Sequence, residues 1–107
     1  MTMSALTPMT KIEIVVQGDD VPVVTECLGA SGAVGYTVLS AVSGLGHHGV
    51  HQGRLHFNDR DSMRMVLSVV PDDLADAVVQ ALRLLLDDRP GVLFVSPTAV
   101  SRPEYFT

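Results

Sequence analysis

The chain has no tryptophan, a single cysteine (Cys27), and an aromatic content of only 5% over 107 residues. One cysteine excludes an intrachain disulfide, and a reducing compartment is the simplest setting for such a protein. With so few rings, the core has to be aliphatic. No run approaches the roughly 18 apolar residues of a membrane-spanning helix. The first ten residues also lack the basic start and apolar stretch of a secretory leader. Basic residues are scarce as well: seven Lys and Arg stand against twelve Asp and Glu, for a formal net charge of −5. That balance excludes nucleic-acid binding over a broad surface. What is present is apolar material, 47% of the chain against 18% charged. This is ample for one folded core and too much for global disorder. The expectation is a soluble, cytoplasmic single domain spanning residues 1–107.

Punctuation by glycine, proline and aspartate divides the chain. Residues 1–10 read as a frayed, disordered N-terminus. Lys11–Gln17 is a β-branched run, the first strand. Gly18-Asp19-Asp20 ends it, with either aspartate able to cap the helix predicted over Val21–Ser31, where Pro22 suits the first turn. Gly32 is a C-terminal stop. A second strand is predicted over Val34–Val42 and a third over Met63–Val70. Pro71-Asp72-Asp73 opens a second helix that runs to about Leu86, with Leu74, Val78, Leu82 and Leu85 on one face. After the turn Asp87–Gly91, Val92–Ser96 is the fourth strand, and Ser101–Thr107 is a polar and aromatic tail. The order is β-α-β-β-α-β, an α+β ferredoxin-like sandwich.

The strands do not alternate cleanly between apolar and polar. Val15 lies opposite Ile12, Ile14 and Val16; Val66 and Val70 oppose Met65, Leu67 and Val69; Val92 and Phe94 oppose Leu93 and Val95. Strands apolar on both faces are expected to be buried on both. Two helices cover only one face, so a homo-oligomer is expected to bury the other.

Ser43–Asp61 is a long connection for so small a domain, and long connections are usually functional. It holds Gly44, Gly46, Gly49 and Gly53 together with His47, His48, His51, Arg54 and His56. Glycines allow close approach of backbone N–H groups to phosphate. The histidines are candidates for Zn²⁺ or Cu²⁺ binding, against which stands the absence of a nearby cysteine or well-spaced carboxylate. They are also candidates, with Arg54, for holding an anion in a pH-sensitive way.

Four segments, in order, resemble the PII signal-transduction superfamily. Gly35-Tyr36-Thr37-Val38 is similar to that family's Gly-x-Thr-Val. Gly44-Leu45-Gly46 is similar to the Gly-x-Gly that opens its T-loop. Val70–Val79 is similar to the start of its second helix, and Gly91–Pro97 to its final strand. The resemblance implies a trimer with adenine-nucleotide clefts between subunits and a T-loop, here residues 43–61, that engages a protein target. On the matching positions it implies nucleotide binding by Gly35, Tyr36, Thr37, Val38, Gly44, Gly46, Ser62, Met63, Arg64, Arg89, Gly91, Val92, Leu93, Phe94 and Arg102. A bicarbonate or other anion site is implied at Gly46, His47, His48 and Arg54.

The departures narrow the resemblance. Val92 replaces the lysine of the typical Gly-Lys, and a C-terminal pair of arginines is reduced to Arg102. Fewer cations weaken a triphosphate more than a mono- or diphosphate. His48 stands where typical members have a glutamine used with Mg²⁺ and 2-oxoglutarate, and the uridylylated tyrosine is missing. The chain is closer to the divergent PII-like proteins of inorganic-carbon metabolism, including carboxysome-associated forms. For these the implied ligands are ADP or AMP, with ATP weaker, and bicarbonate; the implied target is a bicarbonate transporter. No resident cofactor is implied. The alternative is a trimeric metal-binding protein resembling the CutA proteins, using the loop histidines.

An enzyme is not expected. Acylphosphatases of similar fold bind phosphate in the loop after strand one, but here Asp19 and Asp20 would repel an anion, and no nucleophile motif is present. Cys27, on the apolar side of its helix, reads as core, and Met63 and Met65 read as strand core or interface packing.

Overall fold

The computed structural model describes residues 5–42, 44–46, 49–51 and 62–107. Strand β1 (Thr7–Gln17) leads through a 3₁₀ turn, Gly18–Asp20, into helix α1 (Val21–Ala30). Strand β2 (Thr37–Val42) is followed by two short strands, β3 (Gly44–Gly46) and β4 (Gly49–His51). Strand β5 (Met63–Val70), helix α2 (Asp72–Leu85) and strand β6 (Gly91–Val100) complete the fold, with a 3₁₀ turn at Pro103–Tyr105.

Four strands form one antiparallel sheet in the order β2-β5-β1-β6. This is the ferredoxin-like arrangement expected from the element order. Burial follows the two-residue period of β1: Ile12, Ile14 and Val16 are fully buried, while Glu13 and Val15 between them are half-buried. The buried set joins Val66 and Val70 of β5, Val24 and Leu28 of α1, and Val78 and Leu82 of α2 in one aliphatic core. Both helices therefore lie on one face of the sheet. Each such side chain removed from water contributes about 1.5–3 kcal/mol. Cys27 is half-buried against the same cluster, as the helical spacing suggested.

The ends of the elements carry the corrections. β1 starts at Thr7, so the frayed start expected over residues 1–10 does not extend to Thr7–Thr10: Thr7–Met9 pair with Val100–Thr98 of β6, and Met9 is buried. β6 likewise runs on through Pro97 to Val100. It is an edge strand, paired on one side only, where proline is tolerated. β2 begins at Thr37 and not at Val34. At Gly35 a side-chain bond replaces the ladder, the buried Ser68 Oγ donating to the Gly35 carbonyl at 2.7 Å. Asp20 stands at the N-cap of α1 yet makes no side-chain capping bond. Gly32 does stop α1, with a φ of 110° that favours glycine.

The face away from the helices is uncovered and carries an apolar group beside the Lys11–Glu13 ion pair. Register puts Leu39, Met65, Leu67, Val15, Val92 and Phe94 on it. Leu39, Val92 and Phe94 remain 48%, 53% and 55% exposed.

Candidate functional site

One end of the sheet collects residues from four segments. Val42 pairs with Met63, Met63 with Gln17, and Val16 with Gly91, so the end of β2, the start of β5, the end of β1 and the start of β6 lie side by side. The Gly18 N–H donates to the Ser62 carbonyl at 2.7 Å, closing the turn after β1 onto the entry to β5. Ser62, Met63, Arg64, Arg89, Gly91 and Val92, all singled out from sequence, belong to this end. Gly44–Gly46 follows directly in β3, which pairs with β4 as a separate antiparallel ribbon (Gly44 with His51, Leu45 with Val50, Gly46 with Gly49).

Gly91 is held by packing. A Cβ there would lie 2.9 Å from Val16 Cγ1, 3.1 Å from the Val15 carbonyl oxygen and 3.3 Å from Leu86 Cδ2. Only glycine lets β6 start this close to β1. The residue read as a phosphate-approach glycine thus has a structural role in its own right.

The three candidate arginines among the described residues are all engaged within the chain. Arg89 Nη1 donates to the Leu85 carbonyl at the end of α2 (3.1 Å), and its Nε lies 3.6 Å from Asp20 Oδ1. Arg102 donates from Nη1 to the Tyr105 hydroxyl (2.9 Å), with its guanidinium 5.5 Å from that ring's centroid, a cation–π contact. Arg64 Nη1 reaches the Met63 carbonyl at 3.3 Å. An open groove of about 350 Å³ runs between α2 and β6, lined by Gln80, Arg83, Leu84, Leu86, Asp87, Gly91, Val92 and Leu93.

Other predicted site residues lie apart. Thr37 and Val38 open β2, and Gly35 and Tyr36 lie in the segment just before it, with Tyr36 53% exposed. β2 and β6 are the two edges of the sheet, separated by three strand spacings, about 14 Å. Arg102 follows the far end of β6. At about 3.3 Å per residue, the nine steps from Gly91 to Val100 put it roughly 30 Å from the cluster at Gly91. Within one chain these groups do not share a cleft. His47, His48, Arg54 and His56 lie outside the described residues, so only Gly46 of the anion site and only His51 of the histidine metal site are described, both by their strand pairing alone. Among the described residues no three His, Cys, Asp or Glu side chains converge as a metal site. No helix among them is long and apolar enough to cross a membrane.

The sequence reading missed the partners of these residues: Asp20 for Arg89, Tyr105 for Arg102 and Ser68 for Gly35. Tyr105 lies three residues from Arg102 and was the one legible locally. Asp20 and Arg89 are joined only by the packing of the two turns.

Residues 9–105 match the family model of nitrogen regulatory protein P-II. CPII, a nitrogen regulatory PII-like protein from Thiomonas intermedia K12 solved with ADP, AMP and bicarbonate bound, aligns at a TM-score of 0.88 and 34% identity, over 94% of this chain and 95% of that one. The same protein bound to ADP and bicarbonate aligns at 0.83 and 31%, over 95% and 97%. A DUF3240-family protein from Shewanella baltica OS155, at 14% identity and a TM-score of 0.65 over 84% and 89%, shares the fold alone. No curated protein matches the sequence significantly. A family match over nearly the whole length, on a sheet of the same topology, makes the chain a member of the nitrogen regulatory P-II family, among its divergent PII-like proteins.

Proposed function

We propose that residues 1–107 form one PII-like regulatory domain that assembles as a homotrimer and binds ADP or AMP, together with bicarbonate, in clefts between subunits. The observation that carries this reading is the division of the matched nucleotide positions between the two edges of one sheet. Gly35–Val38 lead into and open β2, and Gly91–Phe94 lie on β6 at the other edge, so a single cleft lined by both sets needs β2 of one copy beside β6 of another. The apolar group on the uncovered face supports the same assembly. Burying the exposed halves of Leu39, Val92 and Phe94 contributes roughly 3 kcal/mol per subunit. The 34%-identical CPII, bound to ADP, AMP and bicarbonate, supports the ligand class.

Val92 in the lysine position and the internal ion pair of Arg89 leave few cations for a third phosphate, which supports ADP and AMP over ATP. Bicarbonate would be held by Gly46, His47, His48 and Arg54 next to the nucleotide. The ligands act by favouring one arrangement of segment 43–61, since equal affinity for all arrangements would shift nothing. That segment engages a protein target, with a membrane bicarbonate transporter as the target class and a carboxysome-linked, cytoplasmic setting. The role is regulatory and not catalytic.

Calorimetry tests this directly. ADP, AMP and ATP are titrated with and without bicarbonate, and Zn²⁺ and Cu²⁺ separately. The expected result is saturable binding of ADP and AMP, weaker ATP, and a bicarbonate-dependent change in nucleotide affinity. No heat with any nucleotide, combined with tight stoichiometric metal binding, would instead select the CutA-like alternative.

A further inference from the structure

The turn that opens onto Gly91 carries Arg89, a cation that already has carboxylate and carbonyl partners inside the chain. Its Nε lies 3.6 Å from Asp20 Oδ1, and its Nη1 lies 3.4 Å from Asp88 Oδ1 while donating to the Leu85 carbonyl. The two acids differ in weight. The Asp88 side chain is 85% exposed and well screened, whereas that of Asp20 is 19% exposed. Asp20 also forgoes the role its position suggests, since it stands at the N-cap of α1 without making the capping bond. Its carboxylate is committed across the sheet end to Arg89. The sum over Asp20, Asp88 and Arg89 is −1, so a phosphate approaching Arg89 has to compete with the Asp20 carboxylate for the guanidinium.

We infer that Asp20 is an internal competitor of the ligand: by holding Arg89 it lowers the affinity of this end of the sheet for a phosphate-bearing molecule. The inference rests on the nucleotide-binding reading above and adds a residue that limits affinity. A phosphate displaces the Asp20 carboxylate from the guanidinium, and the turn at Gly18–Asp20 is then released from the turn at Arg89. Ligand occupancy is thereby reported to the start of α1.

A double-mutant cycle read by ADP calorimetry on the full chain tests it, with wild type, Asp20→Asn, Arg89→Gln and the double variant at one salt concentration. Asp20→Asn is expected to tighten ADP binding by about two- to five-fold, the range of a partly exposed ion pair, and the gain is expected to vanish in the Arg89→Gln background. Unchanged or weaker binding by Asp20→Asn would overturn the inference while leaving nucleotide binding intact. So would an equal gain with Arg89→Gln present, which reports only the removal of a negative charge. Absence of ADP heat with the wild type overturns the underlying reading as well. Thermal melts check that the variants fold, and Asp20→Ser serves as a second uncharged replacement.

Discussion

Gly91→Ala separates packing from ligand contact at the start of β6. The new Cβ would meet Val16 Cγ1 at 2.9 Å and the Val15 carbonyl at 3.1 Å. Neither can give way easily, because Val16 is fully buried and its strand is paired on both sides, to Arg64 and to Gly91. Overpacking of this kind costs about 1–3 kcal/mol. At about 2.1 cal/mol/K of unfolding entropy per residue, 107 residues give roughly 0.22 kcal/mol/K, so the melting temperature should fall by about 5–13 °C. The assay is a thermal melt of the nucleotide-free protein at one matched concentration, since an assembling protein melts in a concentration-dependent way. A second arm removes the obstructing atom: Val16→Ala should cost less in the Gly91→Ala background than alone, with a coupling of about 0.5–3 kcal/mol. A nucleotide-free Gly91→Ala protein melting within about 1 °C of wild type would refute the argument. Loss of ADP binding alongside it would assign the glycine to the ligand alone.

Two further outcomes are expected. Phe94→Asp puts a charge on the uncovered sheet face, at a position 55% exposed in the single chain and beside Glu13; sedimentation should shift from the proposed trimer to monomer, and an unchanged mass would dismiss that face as the interface. Arg102→Ala removes an exposed contact to Tyr105, so stability should change by no more than about 0.5 kcal/mol; unchanged ADP affinity by calorimetry would remove Arg102 from the proposed nucleotide-binding residues.

The local signals were strongest where chemistry and partner agreed. Met63–Val70 is a strand with the expected ends because Pro71 cannot continue it and Asp72 and Asp73 favour a helix start. The face of α2 was equally legible: Val78 and Leu82 are buried, and Leu74 and Leu85 pack beside them. The misjudged ends share one cause. Thr7–Thr10 and Pro97–Val100 have weak strand composition, and each is extended because it pairs with the other. Val34–Tyr36 has strand composition but lacks the ladder, since Ser68 takes the Gly35 carbonyl.

By itself the sequence determined the element order, the aliphatic core, the apolar residues on both sheet faces and the family resemblance. These rest on periodicity and short motifs, which are local properties. The tertiary structure alone decided how the candidate residues are grouped. It put β2 and β6 on opposite edges, so that Gly35–Val38 and Gly91–Phe94 cannot meet within one chain. It also joined Arg89 to Asp20 and packed Gly91 against Val16. Such pairings depend on how the chain crosses itself, and no spacing along the sequence encodes them.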